Sequence, residues 1–385
     1  MKKPSVLIIS AEASSVLYAQ RILEQWKVNG TDVDAYGVGS NDMEAIGFRR
    51  FGRSEDMAVM GVVEVAKHYS KIKKVFYDVL AEVDRNPPKV AVLLDYPGFN
   101  LRLAKELKKR GIHVVYYIAP QVWAWKQKRV HQIKEYCDKV LLLFPFEVEF
   151  FKAHHVPYEF VGHPLIDELK PEWLDEKWIM TERRRCGIQD SEIVLGLMPG
   201  SRHGELQQLF LMQLEVARRL SHKVSNLKII ILCAPSFEKE ELMPYLDNFK
   251  VNFIMLKTDP FKMIALTDMI LAASGTATLM VGLLEKPMVI MYRMKWLTSV
   301  LAKILVKGIK YFGITNLIMD AEVSPERFQE KATPDELERL VFELISKPEV
   351  YAEQKTKLKQ LKTQLGQGQV TEKVVRILNS YIEAK

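Results

Sequence analysis

Short apolar runs alternate with longer amphipathic stretches along most of the chain. In the first half, Ser5–Ser10, Asp34–Val38, Lys89–Asp95, His113–Ile118 and Lys139–Leu143 predict strands, several of them apolar at almost every position. Continuous apolarity marks strands that helices cover on both faces. The intervening segments Val16–Trp26, Leu101–Arg110 and Val130–Tyr136 carry helical spacing, so the pattern predicts a parallel α/β sheet. From Pro164 to Arg185 the chain is charged, holds Trp173 and Trp178, and gives no strand signal. The alternation resumes with Ile193–Met198, Lys228–Cys233, Asn252–Leu256, Met269–Ala272 and Met288–Tyr292. The expectation is two consecutive α/β domains, residues 1–165 and 190–333, with helices over 334–385 packing across both. Ligands of open α/β sheets bind beyond the carboxyl ends of the strands. Candidate chemistry should therefore sit on loops directly after strands, facing a cleft between the domains.

Composition narrows the class. Of 385 residues, 48% are apolar and 27% charged, ordinary values that exclude a disordered, collagenous or coiled-coil chain. Cys137, Cys186 and Cys233 are far apart and odd in number, with neither zinc spacing nor a disulfide framework. A reducing cytoplasm fits them best. Val6–Ile9 is too short for a signal-peptide core. The longest uncharged apolar run, Met269–Leu284, is interrupted by polar residues and falls short of the ~18 residues a spanning helix needs. With 55 basic and 48 acidic residues the net charge is +7. Such a field favours anionic partners without choosing among phosphate esters, nucleic acid and an acidic membrane.

Several loops carry candidate chemistry. Gly37-Val-Gly39 opens like a dinucleotide fingerprint, but Asp42 stands where the third glycine belongs, so a nicotinamide site is disfavoured against a simple glycine turn. Pro199-Gly-Ser201-Arg202 follows a strand and precedes the helical stretch Glu205–Leu220. Backbone N–H groups there and the Arg202 guanidinium suit an anion, the alternative being a solvated turn. Ser274-Gly275-Thr276 repeats the arrangement before the apolar helix Ala277–Leu284, whose start is expected to point inward and to take a ligand oxygen, unless the hydroxyls merely cap it. Two such sites suggest a diphosphate. Asp95, at the tip of an apolar strand, is a candidate general base or a turn residue. The segment Tyr117–Arg129 sets aromatics beside basic and amide groups, including Gln121, Trp123, Lys126 and Arg129. It reads as a ligand-lining loop, as a stacking platform for single-stranded nucleic acid, or as core. The stretch around Met60, Val62 and Val63, followed by Lys71, Lys73 and Lys74, and the stretch Lys295–Lys307, suit either an acidic membrane surface or a buried helix with a solvated end.

Taken together, these segments resemble the lipid-A-disaccharide synthase family, bacterial glycosyltransferases of the GT-B fold. The similarity rests on Ala58–Val65, Asp95–Asn100, Pro120–Arg129, Leu143–Glu147, Phe160–Pro164, Pro199–Arg202, Ala273–Leu279 and Tyr292–Met294, in the family's order across most of the chain. The resemblance implies two Rossmann-like α/β domains. It also implies an inverting, cofactor-free and metal-free transfer from UDP-2,3-diacylglucosamine to 2,3-diacylglucosamine 1-phosphate. It assigns catalysis to Asp95, UDP to Ser201, Arg202, Ser274, Gly275, Thr276 and Asn316, and the acceptor side to Glu12, Ser14, Gln121, Trp123, Lys126, Arg129 and His163. Partners are then the two acylated sugars and an anionic membrane, not nucleic acid, and the location is the cytoplasmic face of the inner membrane. A homodimer is left open.

The chain departs from the family in places that bear on function. Where the family has Gly-Glu-x-Ser-Gly-Asp, this chain has Ala11-Glu-Ala-Ser14-Ser15-Val16. Met280 stands where the family carries the glutamate expected to hold the ribose, and Thr315-Asn316 replaces Pro-Asn. The same fold with another sugar-nucleotide and acceptor pair, or a non-catalytic paralogue, are the competing expectations.

Overall fold

The computed structural model describes residues 3–57, 62–247, 249–293 and 310–383, and only the backbone of 13, 14, 62–69 and 205. The chain divides into two compact units, Met1–Asp167 with Leu365–Lys385, and Glu168–Gln364.

The first unit is built on a seven-stranded sheet of order β3-β2-β1-β4-β5-β6-β7. Its strands are β1 (Ser5–Ser10), β2 (Asp34–Gly39), β3 (Arg49–Arg53), β4 (Val90–Leu94), β5 (His113–Tyr117), β6 (Lys139–Leu142) and β7 (Tyr158–Phe160). All neighbours run parallel, and β1 pairs with β4 from Val6 opposite Val90 to Ser10 opposite Leu94. Every residue of β1 and β4 is buried, the consequence of helices on both faces. On one face lie Leu7, Ile9, Leu93 and Leu103; on the other lie Val6, Ile8, Trp26 and Val374.

The second unit repeats the plan with six parallel strands in the order β10-β9-β8-β11-β12-β13. These are β8 (Ile193–Met198), β9 (Leu227–Leu232), β10 (Phe253–Leu256), β11 (Met269–Ala273), β12 (Met288–Tyr292) and β13 (Glu326–Phe328). The charged stretch after Pro164 folds as helical turns over Leu165–Glu168 and Pro171–Leu174 and as the helix Glu176–Arg185. Trp173 stacks on Phe261, and Arg183 pairs with Asp268 at 2.7 Å, tying this stretch to the second unit.

Three strands absent from the sequence reading, β3, β7 and β13, are short edge strands with mostly half-buried residues. Each has one open edge and mixes charged with apolar residues, so it carries no apolar run; the fourth edge strand, β10, is apolar throughout and matches its expectation. The expected C-terminal helical element divides. Pro334–Ser346 and Pro348–Gln364 belong to the second unit, whereas Val370–Glu383 belongs to the first and buries Val370, Val374, Val375 and Leu378 there.

Gly37 and Gly39 lie inside β2 rather than in a turn. Gly37 has φ +139°, and a β-carbon there would stand 2.1 Å from the Ile8 carbonyl oxygen. One on Gly39 would stand 2.7 Å from the Met43 sulfur. Close approach of β2 to β1 and to the helix Asn41–Ala45 therefore explains this glycine pair.

Candidate functional site

In the second unit a cavity of about 390 Å³ lies beyond the carboxyl ends of β8, β9 and β11. Its wall joins Ser201 and Arg202, after β8, to Ser274, Gly275 and Thr276, after β11. Leu232, Met263 and Ile264 supply an apolar surface, and Met280 also lines it. The tight turn after β8 needs Gly200, whose φ is +102°. The helix Ala277–Leu283 buries Thr278, Leu279, Val281 and Leu283. Its start does not point inward as expected, because Gly275 and Thr276 are exposed. Thr276 makes no side-chain capping bond; the capping-type contact is Thr278 Oγ1 donating to the Gly275 carbonyl at 2.7 Å. The Thr276 hydroxyl is thus not consumed by its own helix.

A residue outside the expected site, Gln213, holds both loops' strands together. Gln213 is fully buried, and its Nε2 donates to the Met198 carbonyl at 2.8 Å and the Leu271 carbonyl at 3.1 Å. It ties the end of β8, at Met198, to Leu271 in the middle of β11, beneath the two ligand loops. The signal was a lone amide within the buried stripe Leu209, Phe210, Gln213, Ala217 and Leu220. The helical stretch carrying it is not uniform: residues Leu206–Phe210 form a π-turn ahead of the helix Leu211–Lys223, a distortion often found beside functional sites.

Asn316, expected at the nucleotide, is elsewhere. It is fully buried, its Nδ2 donates to the Ser324 carbonyl and Glu326, and its Oδ1 accepts from the Val323 and Ser324 N–H groups. With every hydrogen-bonding position engaged, it staples a turn and offers nothing to a ligand. Glu285, five residues after Met280, lines a separate cavity with Lys286 and Lys355.

In the first unit Asp95 directly follows β4 with φ +48°, and Tyr96 comes next at +44°. Left-handed conformations at consecutive non-glycine residues store strain of order 1–3 kcal/mol each and cluster at functional sites. The surroundings hold them in place. The Asp95 carbonyl accepts from Tyr116 Oη and from Asn100 Nδ2, each at 2.6 Å, and the Asp95 N–H donates to the Ile118 carbonyl. The half-buried carboxyl is pushed above its ordinary value by burial, against the weaker pull of the Tyr96 N–H. Burial also raises the Tyr96 phenol, and the Glu12 carboxylate adds to that rise, so Glu12, Asp95 and Tyr96 share one neighbourhood. Ser15 and Glu12 bond reciprocally at the start of the helix Ala13–Val28. The serine that replaces the family's glycine is thus spent on its own helix. The side chain of Ser14 lies outside the described residues.

The loop after β5 presents Gln121 and Trp125 to solvent while Val122 is buried. Trp123 packs edge-on against Phe146 at 4.8 Å, and its buried indole N–H has no hydrogen-bond partner among the described residues. Lys126 lies 4.2 Å over the Trp125 ring. His163, expected to face a ligand, is 2% exposed. It sits between Tyr18 and Phe144, and its Nδ1 accepts from the Leu165 N–H. Desolvation pushes its imidazole down to about 3, so it remains neutral and acts in packing.

Met60 and Lys295–Lys307, part of the expected membrane surface, lie outside the described residues, as do the side chains of Val62 and Val63. Within the helix Val62–Arg85, Lys71, Lys73 and Lys74 are exposed, and Lys74 pairs with Asp78. Ile72, Val75 and Phe76 turn toward the core. Among the described residues no helix is long and apolar enough to cross a membrane, and no group of acidic, histidine and cysteine side chains is arranged to hold a metal.

Solved structures share this fold across nearly the whole chain. UDP-GlcNAc 2-epimerase from Neisseria meningitidis, bound to UDP-GlcNAc, superposes with TM-score 0.64 at 11% identity, covering 98% of this chain and 100% of the other. MurG of Acinetobacter baumannii gives 0.58 at 15% identity, covering 98% and 100%. The calicheamicin glycosyltransferase gives 0.60 at 11%, covering 99% of each chain. These likenesses establish the two-domain GT-B architecture and nothing about the reaction. Sequence relatives go further. The lipid-A-disaccharide synthase of Trichlorobacter lovleyi is 32% identical over 378 residues, covering 98% of this chain and 97% of the relative. That of Nitrosococcus oceani is 33% identical over 365 residues, covering 95% and 93%. The family model described as lipid-A-disaccharide synthetase matches residues 6–378. The chain therefore belongs to the lipid-A-disaccharide synthetase family, glycosyltransferases of lipid A biosynthesis.

Proposed function

We propose that the protein transfers the sugar of UDP-2,3-diacylglucosamine, with inversion, to the 6-hydroxyl of 2,3-diacylglucosamine 1-phosphate. UDP and a β-1,6-linked disaccharide 1-phosphate are released. The observation that carries this reading is the cavity of the second unit, where Arg202 and the Ser274-Gly275-Thr276 turn flank an apolar surface. That combination suits a nucleoside diphosphate: base against Leu232, Met263 and Ile264, phosphates against Arg202 and the hydroxyls. Charge grows on the departing diphosphate as the glycosidic bond breaks, so fixed donors there act on the transition state. Asp95, with its burial-raised carboxyl, takes the proton from the attacking hydroxyl. The loop Gln121, Trp123 and Lys126 serves the acylated acceptor, the Trp123 indole N–H, without a partner among the described residues, being a donor for one of its oxygens. The protein works as a peripheral enzyme at the cytoplasmic face of the inner membrane, with Lys71 and Lys73 toward anionic lipid.

The test is an assay of the purified chain with both acylated substrates, following UDP and disaccharide, with calorimetric titration of UDP alongside. Arg202→Ala is expected to weaken UDP binding and slow turnover, and Arg202→Lys to restore only part because the bidentate fork is lost. Unchanged UDP affinity in Arg202→Ala would remove this cavity from the reaction. Turnover of a different sugar nucleotide, with no disaccharide from this pair, would favour another acceptor on the same fold.

A further inference from the structure

Along the helix Pro97–Lys109 the cations fall into two groups. Toward its C-terminal end, Lys108 pairs with Asp138, Lys109 with Glu106, and Arg110, just beyond, with Asp84. Arg102 and Lys105, on the preceding turns, have no carboxylate partner among the described residues. Both line a groove of about 550 Å³ whose other wall is Lys128, Arg129, Gln132 and Tyr136, at and within the helix Arg129–Tyr136. Every charged or polar side chain of that lining is a hydrogen-bond donor, and none is a carboxylate. Arg102 and Lys105 at i, i+3, facing Lys128 and Arg129, repel one another, an arrangement that an anion in the groove would relieve. Pro97 and Gly98, at the positive end of the 13-residue helix, and the apolar Leu101 complete the lining.

The groove adjoins the proposed base. Gly98 is three residues from Asp95, so at 3.8 Å per residue their Cα atoms are no more than about 11 Å apart. Arg129 acts electrostatically on Tyr116, the residue whose phenol donates to the Asp95 carbonyl at 2.6 Å. In a hexosamine 1-phosphate, C1 with its phosphate and C5 with its 6-hydroxymethyl group flank the ring oxygen, so the phosphate and the 6-hydroxyl lie on the same edge of the pyranose ring. Anchoring the phosphate among these donors would hold the hydroxyl near Asp95.

We infer that the groove between the helices Pro97–Lys109 and Arg129–Tyr136 is the phosphate subsite for the phosphorylated acceptor, with Arg102, Lys105 and Lys128 as specificity residues. The inference rests on the acceptor proposed above. The test compares 2,3-diacylglucosamine 1-phosphate with its 1-O-methyl glycoside as acceptors, in the wild type and in Arg102→Ala/Lys105→Ala/Lys128→Ala. Loss of charge-assisted contacts should raise KM for the phosphorylated acceptor at least about tenfold and reduce its advantage over the glycoside by the same factor. KM for the UDP-sugar should not change, and Arg102→Lys should restore part of the preference. These side chains are exposed apart from the half-buried Arg129, which the variant retains, so the fold is kept; circular dichroism checks it. A preference retained within about twofold by the triple variant would overturn the inference.

Binding of both acceptors in detergent micelles, measured by calorimetry, reads the groove without turnover. Absence of turnover with selective binding lost in the variant would sink the proposed reaction while upholding the subsite. Equal wild-type affinity for the two acceptors would sink the subsite alone. Partition onto phosphatidylglycerol vesicles distinguishes the other source of phosphate. If the triple variant leaves vesicles but keeps its acceptor preference, the groove holds lipid headgroups and the acceptor assignment is wrong.

Discussion

Replacing Asp95 by asparagine separates the chemistry of the carboxylate from the backbone that holds it. Asp95 lies at φ +48°, where a residue with a β-carbon costs roughly 1–2 kcal/mol and where Asn and Asp are tolerated best. Asparagine therefore keeps the turn. The bonds from Tyr116 and Asn100 end on the main-chain carbonyl, so the exchange of side chains leaves them in place. What changes is the charge. Burial raises the carboxyl above its unfolded value, so the folded state binds its proton more tightly, and stability falls as pH rises through the folded value. Asparagine removes that penalty, and thermal stability at neutral pH should be equal or higher. Turnover, in contrast, should drop by ~10²–10⁴, the usual contribution of a general base. In the wild type kcat/KM should rise with pH through an inflection above the ordinary aspartate value of 3.8, and this limb should vanish in the variant. Asp95→Ala should lose the same activity and a further ~1–2 kcal/mol of stability, because alanine lacks the local bonds that make the left-handed region tolerable. Steady-state UDP release across pH, with thermal unfolding in parallel, reads both quantities. Near-wild-type turnover in Asp95→Asn, or activity lost only in proportion to folded protein, would refute the reasoning.

Met280→Glu should tighten UDP binding by roughly tenfold, since Met280 lines the cavity and a carboxylate accepting ribose hydroxyls forms charge-assisted bonds that a thioether does not; weaker binding in calorimetry would show that the ribose is held elsewhere. Gln213→Leu leaves the Met198 and Leu271 carbonyls without their donor at about 1–3 kcal/mol per buried group. It should lower both the unfolding temperature and UDP affinity, and an unchanged affinity would mean the clamp supports the fold only. Burial pushes the Glu147 carboxyl from 4.5 to about 7, opposite to the usual direction for glutamate. Its stabilising contribution is complete below the unfolded value and lost as pH rises through about 7, about 3 kcal/mol in all. Glu147→Gln keeps an oxygen for the Leu143 and Phe144 N–H groups and should flatten the fall in unfolding temperature between about pH 5 and 7; an equally steep fall in the variant would exclude Glu147 as its cause.

The strands that helices cover on both faces are legible from hydrophobic patterning, because burial on both sides leaves unbroken apolar runs such as Val90–Leu94 and Met269–Ala273. Loops that follow those strands are legible too, and Arg202 and Ser274–Thr276 converge on one cavity. Three of the four edge strands are not, since a short mixed stretch like Glu326–Phe328 has no compositional mark to distinguish it from a loop, whereas the fourth, Phe253–Leu256, is apolar throughout and is legible. Gly37 and Gly39 read as a glycine turn and prove to be points where β2 closes on its neighbours.

Local sequence thus determined the alternation of strands and helices, the parallel sheets and the loops that bear chemistry, because periodicity and turn residues act over a few positions. The tertiary structure decided which polar side chains are spent on the fold and which are left for a ligand. Asn316 and Gln213 look alike along the chain, yet one staples a turn and the other clamps two strands beneath the cavity. Arg102 and Arg110 lie two turns apart near the same helix, yet Asp84 neutralises only the second. Each outcome depends on a partner remote in sequence. A hydrogen bond or ion pair is set by distances of a few ångströms, and the packed fold alone fixes such distances.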